Sequence, residues 1–413
     1  MIGIFSEIHA TPSDRLRGLA KRCSFLCKLS LHISQYKAQS PHSQALTAGK
    51  MRRAARTLRM KLSRTELNSG TTVVRPGFEL PLDRLQNWMA QHVDGFQGPL
   101  RIEQFKGGQS NPTYKLIAAS GQYVLRRRPA GPLLQSAHAV DREYRVLSAL
   151  SHTTVPTPRT HGLCMDDAVI GSWFYVMEFH EGRIFWDVAL PPQPAASRRA
   201  QWLAAVDAMA RLHNVDHNAL GLADYGKSGN YFQRQFKRWS EQYSYTRDGI
   251  DNPAMERLIP WLADRIPDDD RTSIVHGDLQ FSNMIFHPSR NEVVAFLDWE
   301  LSTLGNPLAD LSYFCRVYHL PEADGGLQGG DWRQLGIPEE RELMCLYSEL
   351  TGRQSINDWP IYVVFSMFRL AAIRQGVAKR VRDGTATSDH ASAVARSGVT
   401  MAEAAWRLAR SAS

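Results

Sequence analysis

The sequence has few cysteines, no long uninterrupted apolar run and, near its N-terminus, almost no acidic side chains. The five cysteines are scattered, odd in number and without a Cys-x-x-Cys pair, which argues against a disulfide framework or a zinc site and favours reduced thiols in an intracellular protein. The longest strongly apolar stretch, residues 361–373, already contains Ser366 and Arg369. A membrane span needs about 20 mostly apolar residues, so the sequence predicts none.

The shortage of acidic residues is confined to residues 1–70. They contain 13 Lys or Arg and three acids, whereas the remaining residues contain 36 bases and 38 acids, so the net charge of +8 comes from this segment. We interpret it as a basic extension, either disordered or translated from upstream of a true start at Met51 or Met60. A mitochondrial-type presequence and a basic nucleic-acid-binding arm are the weaker alternatives. The expected location is cytoplasmic, without a membrane or nucleic-acid partner.

Length and composition favour a globular protein with two or three domains or lobes. The chain has 413 residues, of which 43% are hydrophobic and 22% charged. Short strand-like runs dominate residues 80–178, whereas residues 179–411 are mainly helical around one strand pair. We therefore predict an α+β fold with a small β-rich N-lobe, 80–178, and a larger helical C-lobe, 179–411. The predicted helices are 82–92, 137–150, 195–213, 231–246, 252–263, 339–351, 359–381 and 391–411, the predicted strands are 100–105, 113–118, 123–126 and 173–179, and the strand pair covers 273–278, 284–287 and 293–298.

The strand pair carries the residues with the most distinctive spacing. Its loop reads His-Gly-Asp-Leu-Gln-Phe-Ser-Asn at 276–283, and Asp-Trp-Glu follows at 298–300. Asp278 and Asn283 share one loop, and Asp298 ends the returning strand beside them. Phosphoryl transfer needs a carboxylate that orients the attacking hydroxyl and accepts its proton, and oxygen ligands that hold Mg²⁺. Asp278 is the candidate catalytic base, and Asn283 and Asp298 are the candidate metal ligands, although a single Asp here would more often be a loop-capping carboxylate.

The ordered pattern HGDxxxxN…DWE resembles the catalytic and metal loops of the aminoglycoside phosphotransferase and choline kinase-like superfamily. The resemblance implies a protein-kinase-like two-lobed fold with ATP and Mg²⁺ as cofactors. It runs from about Phe105 to the C-terminus. It is most specific for a branch of phosphotransferase proteins that includes the kinase-like domain fused to some acyl-CoA dehydrogenases. The resemblance covers the kinase-like domain and not the dehydrogenase domain. The stretches specific to this branch are residues 105–114, 182–187, 304–311 and 369–373.

The resemblance also assigns nucleotide-binding residues in the N-lobe. Residues 106–111, which we call the glycine loop, read Lys-Gly-Gly-Gln-Ser-Asn between two predicted strands. Glycines there let backbone N–H groups approach phosphate, although a Gly-Gly pair alone is usually a hairpin turn. The residues assigned from the loop are Gly107, Gly108, Gln109, Ser110 and Asn111.

Arg126 stands where kinases carry a lysine that reaches the nucleotide phosphates, and the sequence leaves open whether Arg126, Arg127 or Arg128 faces inward. Glu143, on the following helix, matches the acidic partner of that base, with a solvated helix carboxylate as the alternative. The strand ending in Glu178 and Phe179 matches the segment that runs into the interlobe hinge, where backbone groups meet adenine, and an ordinary buried strand is the alternative. The resemblance also implies that Asp310 braces the catalytic loop and that His276 shapes it.

The leading hypothesis is an ATP-dependent kinase that phosphorylates a hydroxyl of a small molecule. A protein Ser/Thr kinase is disfavoured because no Ala-Pro-Glu segment follows Asp298. A nucleotide-binding pseudokinase scaffold is the alternative from another class, and the arginine at 126 is the feature that favours it. The residues do not identify the acceptor. The resemblance implies a hydroxyacyl compound or its CoA thioester, and an aminoglycoside or amino alcohol is the alternative.

Overall fold

The computed structural model describes Thr65 and residues 68–107, 111–129, 139–191, 193–247, 251–383 and 391–412. All of them belong to one unit, Arg64–Ser413, so most of the predicted basic extension lies outside the described residues. The strands are β1 (Thr71–Thr72), β2 (Arg101–Phe105), β3 (Thr113–Ala118), β4 (Gly121–Arg127), β5 (Thr160–Cys164), β6 (Phe174–Glu178), β7 (Ser273–Val275), β8 (Met284–Phe286), β9 (Val293–Phe296) and β10 (Thr303–Gly305). The α-helices are α1 (Leu82–His92), α2 (Val140–Leu150), α3 (Asp167–Ile170), α4 (Ala195–His213), α5 (Tyr231–Thr246), α6 (Pro253–Ala263), α7 (Leu308–Cys315), α8 (Glu340–Thr351), α9 (Trp359–Arg382) and α10 (Ala391–Ser411).

The N-lobe is a six-stranded antiparallel sheet with the strand order β1-β2-β3-β4-β6-β5. Successive side chains of a strand point to opposite faces, and β4 shows the consequence. Tyr123 and Leu125 join the small core that includes helix α1, whereas Val124 joins the core that α2 shares with the C-lobe. Arg126 follows Val124 on the α2 face. The sheet begins at β1, so the N-lobe starts at or before Thr71 and not at the predicted residue 80.

The prediction of a strand pair at residues 273–298 is only partly correct. β8 and β9 form the expected hairpin, with Met284 opposite Phe296. β7 does not continue it but pairs with β10, a strand that the sequence analysis did not predict, with Ser273 opposite Gly305. Residues 276–283 therefore leave one two-stranded sheet and enter another, which fixes both ends of the catalytic loop.

Helix α9 is the central helix of the C-lobe and packs against α5, α7 and α10. By length and composition alone it could cross a membrane, with a mean hydropathy of 1.3 over its most apolar window. About two thirds of that window, 67%, is buried inside the protein, as expected of a core helix. The sheet-based N-lobe and helical C-lobe agree with the predicted α+β architecture.

Candidate active site

A buried carboxylate holds the start of the catalytic loop. Asp310, on helix α7, accepts the backbone N–H groups of His276 at 2.6 Å and Gly277 at 2.8 Å. His213 donates Nε2–H to the same carboxylate at 3.2 Å. Burial acts to raise the pKa of Asp310, but the hydrogen bonds from the His213 side chain and the His276 backbone lower it overall. Asp310 thus braces the loop, as the sequence analysis expected.

Gly277 and His276 shape the loop in different ways, through backbone conformation and through side-chain hydrogen bonds. Gly277 has a φ of +83°, and a Cβ there would lie 2.6 Å from the carbonyl oxygen of Leu301, so glycine is required. The Nδ1 atom of His276 accepts the N–H of Asp278 at 3.3 Å, so its proton is on Nε2, which donates to the carbonyl of Leu297 at 2.9 Å. Both ring nitrogens of His276 are therefore engaged in shaping the loop.

The candidate base, Asp278, is held by a different donor on each carboxylate oxygen. Tyr313 donates its hydroxyl to Oδ1 at 2.5 Å, and Asn283 donates Nδ2–H to Oδ2 at 2.9 Å. The side-chain amide of Gln280 lies 3.4 Å from both oxygens. A carboxylate oxygen has two lone pairs, and here one accepts the shorter bond from Tyr313 or Asn283 and the other the longer contact from Gln280. A substrate hydroxyl that bonds to Asp278 would therefore replace the Gln280 contact.

The structure brings the two candidate metal ligands, Asn283 and Asp298, to adjoining ends of the β8–β9 hairpin. The N–H of Leu297 donates to the carbonyl of Asn283 at 2.9 Å, directly before Asp298. The Asn283 amide group points its Nδ2 at Asp278, which leaves its oxygen for another partner. Among the described residues, no group of three or more His, Cys, Asp or Glu side chains is arranged to hold a metal ion. One carboxylate and one amide oxygen nevertheless fit Mg²⁺, which is commonly held by one or two carboxylates together with substrate phosphates.

Arg126 is the arginine that faces the cleft. Its Nε lies 2.8 Å from Oε2 of Glu143, and its Nη2 lies 2.5 Å from Oδ1 of Asp298 and 3.7 Å from Oε2 of Glu300. Tyr175 completes the cluster by donating its hydroxyl to Glu143 at 3.1 Å. The Arg126 side chain is only 8% exposed. Burial acts to lower the pKa of Arg126, but the surrounding carboxylates raise it overall, so the guanidinium stays charged.

The glycine loop is only partly described. Gly108, Gln109 and Ser110 lie outside the described residues, whereas Gly107 and Asn111 lie within them. Asn111 is fully buried, and its Nδ2–H donates to Oε1 of Glu143 at 3.0 Å. Its side chain therefore holds Glu143, whereas the sequence analysis assigned Asn111 to nucleotide binding. Burial is the main reason that the pKa of Glu143 is raised, against the pull of Arg126.

At the predicted interlobe hinge, the Phe179 ring packs against the sheet, whereas the Glu178 side chain is exposed to solvent. The Phe179 ring stacks on Phe105 with centroids 6.5 Å apart, and the ammonium of Lys115 lies 4.0 Å from the Phe179 ring centre. The N–H of Glu178 is bonded to the carbonyl of Arg159 at 2.8 Å, so it is already used within the sheet. The sequence analysis missed Lys115, because one lysine on a strand forms no pattern.

Sequence analysis also missed a set of contacts at the start of the glycine loop, around Lys106 and Gly107. The Trp186 indole N–H, from the C-lobe, donates to the hydroxyl of Ser69 at 3.1 Å, and the N–H of Lys106 donates to the carbonyl of Gly70 at 3.1 Å. A Cβ at Gly107 would lie 3.5 Å from the Trp186 ring. Ser69, Gly70 and β1 therefore link the loop to the other lobe. A strand of two residues gives no periodic signal, so only the structure reveals it.

A small cavity of about 130 Å³ lies beside the catalytic loop on the C-lobe side. Gln280, which reaches Asp278, lines it, and so does Arg316, whose Nη2–H donates to Oε1 of Gln280 at 2.9 Å. Its other charged lining residues are Arg374 and Asp324. The aromatic side chains that form the walls are Phe185, Trp186, Trp202, Phe281 and Phe314.

Comparison with known proteins gives one family and two groups of relatives. The model of the phosphotransferase enzyme family matches residues 101–345. Acyl-CoA dehydrogenase family member 10 of Mus musculus is 43% identical over 82% of this chain and 32% of its own length. Acyl-CoA dehydrogenase family member 11 of Homo sapiens is 37% identical over 82% of this chain and 44% of its own length. The chain thus spans less than half the length of these relatives.

Solved structures extend the comparison to the fold. A proposed aminoglycoside phosphotransferase from Ralstonia eutropha JMP134 is 46% identical, with a TM-score of 0.74, over 81% of this chain and 99% of that one. Aminoglycoside phosphotransferase APH(4)-Ia, solved in a ternary complex with AMP-PNP and hygromycin B, is 11% identical with a TM-score of 0.53, over 78% of this chain and 98% of that one. The second likeness concerns the fold alone.

Proposed function

The chain belongs to the phosphotransferase enzyme family, and from that premise we propose that it transfers the γ-phosphoryl group of ATP to a hydroxyl of a small molecule. The observation that carries this proposal is the grouping of Asp278, Asn283 and Asp298 on one loop and one strand end, with Arg126 reaching Asp298 from the N-lobe. The AMP-PNP complex of APH(4)-Ia supports ATP as the donor, because it is an ATP-analogue complex of a protein with this fold.

In this proposal each residue has one task. Asp278 orients the acceptor hydroxyl and takes its proton as the new O–P bond forms. Asn283 and Asp298 would hold Mg²⁺, which supplies neutralisation of phosphate charge when bound. Arg126 and the backbone of the glycine loop hold the phosphates, and Glu143 holds Arg126. Positioning and charge neutralisation account for most of the catalysis, since phosphoryl transfer asks little covalent chemistry of a protein.

The cavity beside the loop favours a hydroxyacyl compound, free or as its CoA thioester, over an aminoglycoside. Its walls are aromatic, and its charged residues are two arginines and one aspartate, a balance that repels a polycation. A volume of about 130 Å³ is below the roughly 300–1,000 Å³ of a typical ligand site and suits one end of an acyl chain. The names of the acyl-CoA dehydrogenase relatives point to the same class of compound.

A screen of the purified protein with Mg²⁺-ATP tests the proposal. Hydroxyacyl-CoAs, free hydroxy acids, amino alcohols, sugars and aminoglycosides are compared by ATP consumption and by mass spectrometry of the phosphorylated acceptor. We expect phosphorylation of a hydroxyacyl compound and none of an aminoglycoside. Phosphorylation of aminoglycosides alone would overturn the acceptor class and leave the kinase activity standing.

A thermal-shift titration separates the kinase from a scaffold. Mg²⁺-ATP at 100 times its dissociation constant stabilises the native state by about 2.7 kcal/mol, which is an easily measured shift. The proposal predicts both this shift and ATP consumption with an acceptor. A shift without consumption across the whole screen would favour the pseudokinase scaffold, and no shift would contradict nucleotide binding itself.

A further inference from the structure

Tyr313 lies on helix α7, outside every motif that the sequence analysis used. Its side chain is buried, and its hydroxyl donates to Oδ1 of Asp278 at 2.5 Å. Burial, together with the nearby charge of Asp278, raises the pKa of Tyr313, so the phenol remains protonated and acts only as a donor. Tyr313 and Asp278 are 35 positions apart in the sequence, which explains why no sequence pattern joins them.

The Tyr313 ring is itself held in a fixed orientation. The guanidinium of Arg316 lies 3.6 Å from the ring centre and also donates to the Tyr313 backbone carbonyl. Arg369 approaches the same ring at 5.8 Å and donates to the carbonyl of Gly277 at 2.9 Å, one residue before Asp278. A cation over an aromatic face is attracted by the ring, so both arginines restrict where the hydroxyl can point.

We infer that Tyr313 is a positioning residue that fixes the carboxylate of Asp278 for proton transfer. Asn283 holds one carboxylate oxygen and Tyr313 holds the other, so the plane of the carboxylate is set from two sides. Without the phenol, the carboxylate can rotate about its last torsion while Asn283 still holds Oδ2. A small misplacement of a reacting group is costly, on the order of 100-fold for 1 Å. The inference rests on the proposed function, since that gives Asp278 its role.

The test is Tyr313→Phe, which keeps the ring and removes only the hydroxyl. We expect kcat to fall roughly 10- to 100-fold, with little change in the KM for ATP or for the acceptor. Tyr318→Phe is the matched control, because Tyr318 is half-buried and its hydroxyl donates at 2.7 Å to the carbonyl of Pro338 and not to Asp278. Equal losses in the two variants would overturn the inference, because they would reflect the loss of any hydrogen-bonded phenol hydroxyl.

A double-variant cycle distinguishes positioning from packing. If Tyr313 acts through Asp278, adding Tyr313→Phe to Asp278→Asn should lower the residual turnover little further, whereas additive losses would contradict the inference. A crystal structure of Tyr313→Phe gives a readout that needs no acceptor. We expect more than one orientation of the Asp278 carboxylate there, and a single unchanged orientation would overturn the inference. Failure of the parent protein to phosphorylate anything would instead count against the proposed function, while this structural readout would still decide the role of Tyr313.

Discussion

Arg126 on β4 and Asp298 after β9 form an ion pair with 2.5 Å between Nη2 and Oδ1, which joins the N-lobe to the C-lobe. The same guanidinium also pairs with Glu143 and lies near Glu300. Formally, three carboxylates surround one guanidinium and leave an excess negative charge. A bound divalent cation would neutralise it, and in the proposed function Arg126 would then couple the nucleotide to the metal ion.

The two-armed contact of Arg126 leads to a prediction for nucleotide affinity. Arg126→Lys keeps the charge but cannot reach Glu143 and Asp298 with two separate nitrogens. We expect Mg²⁺-ATP binding to weaken roughly 10- to 100-fold, which corresponds to about 1.5–3 kcal/mol for one charge-assisted hydrogen bond. Isothermal titration calorimetry measures this change in affinity for Mg²⁺-ATP. Arg127→Lys, on the opposite face of β4, is the control and should bind nucleotide like the parent.

Glu143 leads to a prediction for stability. It is 1% exposed, so Glu143→Gln leaves a buried guanidinium with one partner fewer, at a cost of about 3–5 kcal/mol for breaking a buried pair. Urea unfolding gives this difference. Asp224→Asn breaks the solvent-exposed pair with Arg145 and should change the free energy of unfolding little. Similar losses of unfolding free energy in the two variants would mean that the buried Arg126–Glu143 pair stabilises the fold no more than a solvent-exposed pair does.

Asp310 leads to a prediction for pH dependence. Its pKa is below the ordinary value in the native state, so the unfolded state binds the proton more readily and the carboxylate stabilises the fold at neutral pH. This contribution is complete above the ordinary carboxyl pKa of about 4 and is lost as the pH falls through the lower native value.

Asp310→Asn keeps the shape of the side chain and removes its charge. We expect it to destabilise the protein by about 1–3 kcal/mol at pH 7, because the N–H groups of His276 and Gly277 lose a charged acceptor. The gap to the parent protein should narrow in acid. Denaturant unfolding between pH 7 and pH 3 measures the gap, and a constant difference over that range would contradict the stated origin of the stability.

The contacts of Ser69 and Gly70 at the start of the glycine loop lead to a prediction for truncation. A variant that starts at Met60 retains Ser69, Gly70 and β1, and should keep the stability and activity of the whole chain. A variant that starts at residue 80 loses these contacts to Trp186 and Lys106 and should bind Mg²⁺-ATP more weakly and unfold at a lower temperature. Thermal unfolding with and without nucleotide compares the two. Failure of the Met60 variant to fold would place the boundary of the extension earlier in the chain.

Most of the elements that the sequence predicted correctly have a strong period. Helices α1, α4, α5 and α10 have the predicted bounds. Apolar residues recur at helical spacing along α1, α5 and α10, whereas α4 has little such period and also buries polar side chains, Arg198 and Gln201. Helix α7 was missed because all eight of its residues are buried, which leaves no polar face to give a period. Strand β10 was missed because its three residues are specified by pairing with β7, about 30 residues earlier.

The same limit applies to the site. Asp278, Asn283 and Asp298 could be found because a loop and a hairpin bring them together locally. Tyr313 could not, because its contact with Asp278 depends on how α7 packs under the loop.

The assignment of Asp278 as base and Asp298 as metal ligand is tested most directly by comparing Asp278→Asn with Asp298→Asn. Each is titrated with Mg²⁺-ATP by calorimetry and assayed for turnover. Asp278→Asn should bind Mg²⁺-ATP nearly as the parent does and lose about 10²–10⁴-fold in turnover, the usual contribution of a general base. Asp298→Asn should lose both binding and turnover, because it removes a charge from the metal side of the cleft. Normal turnover with collapsed binding in Asp278→Asn would reverse the two roles, and parental behaviour of both variants would contradict the account of this site as a phosphotransferase centre.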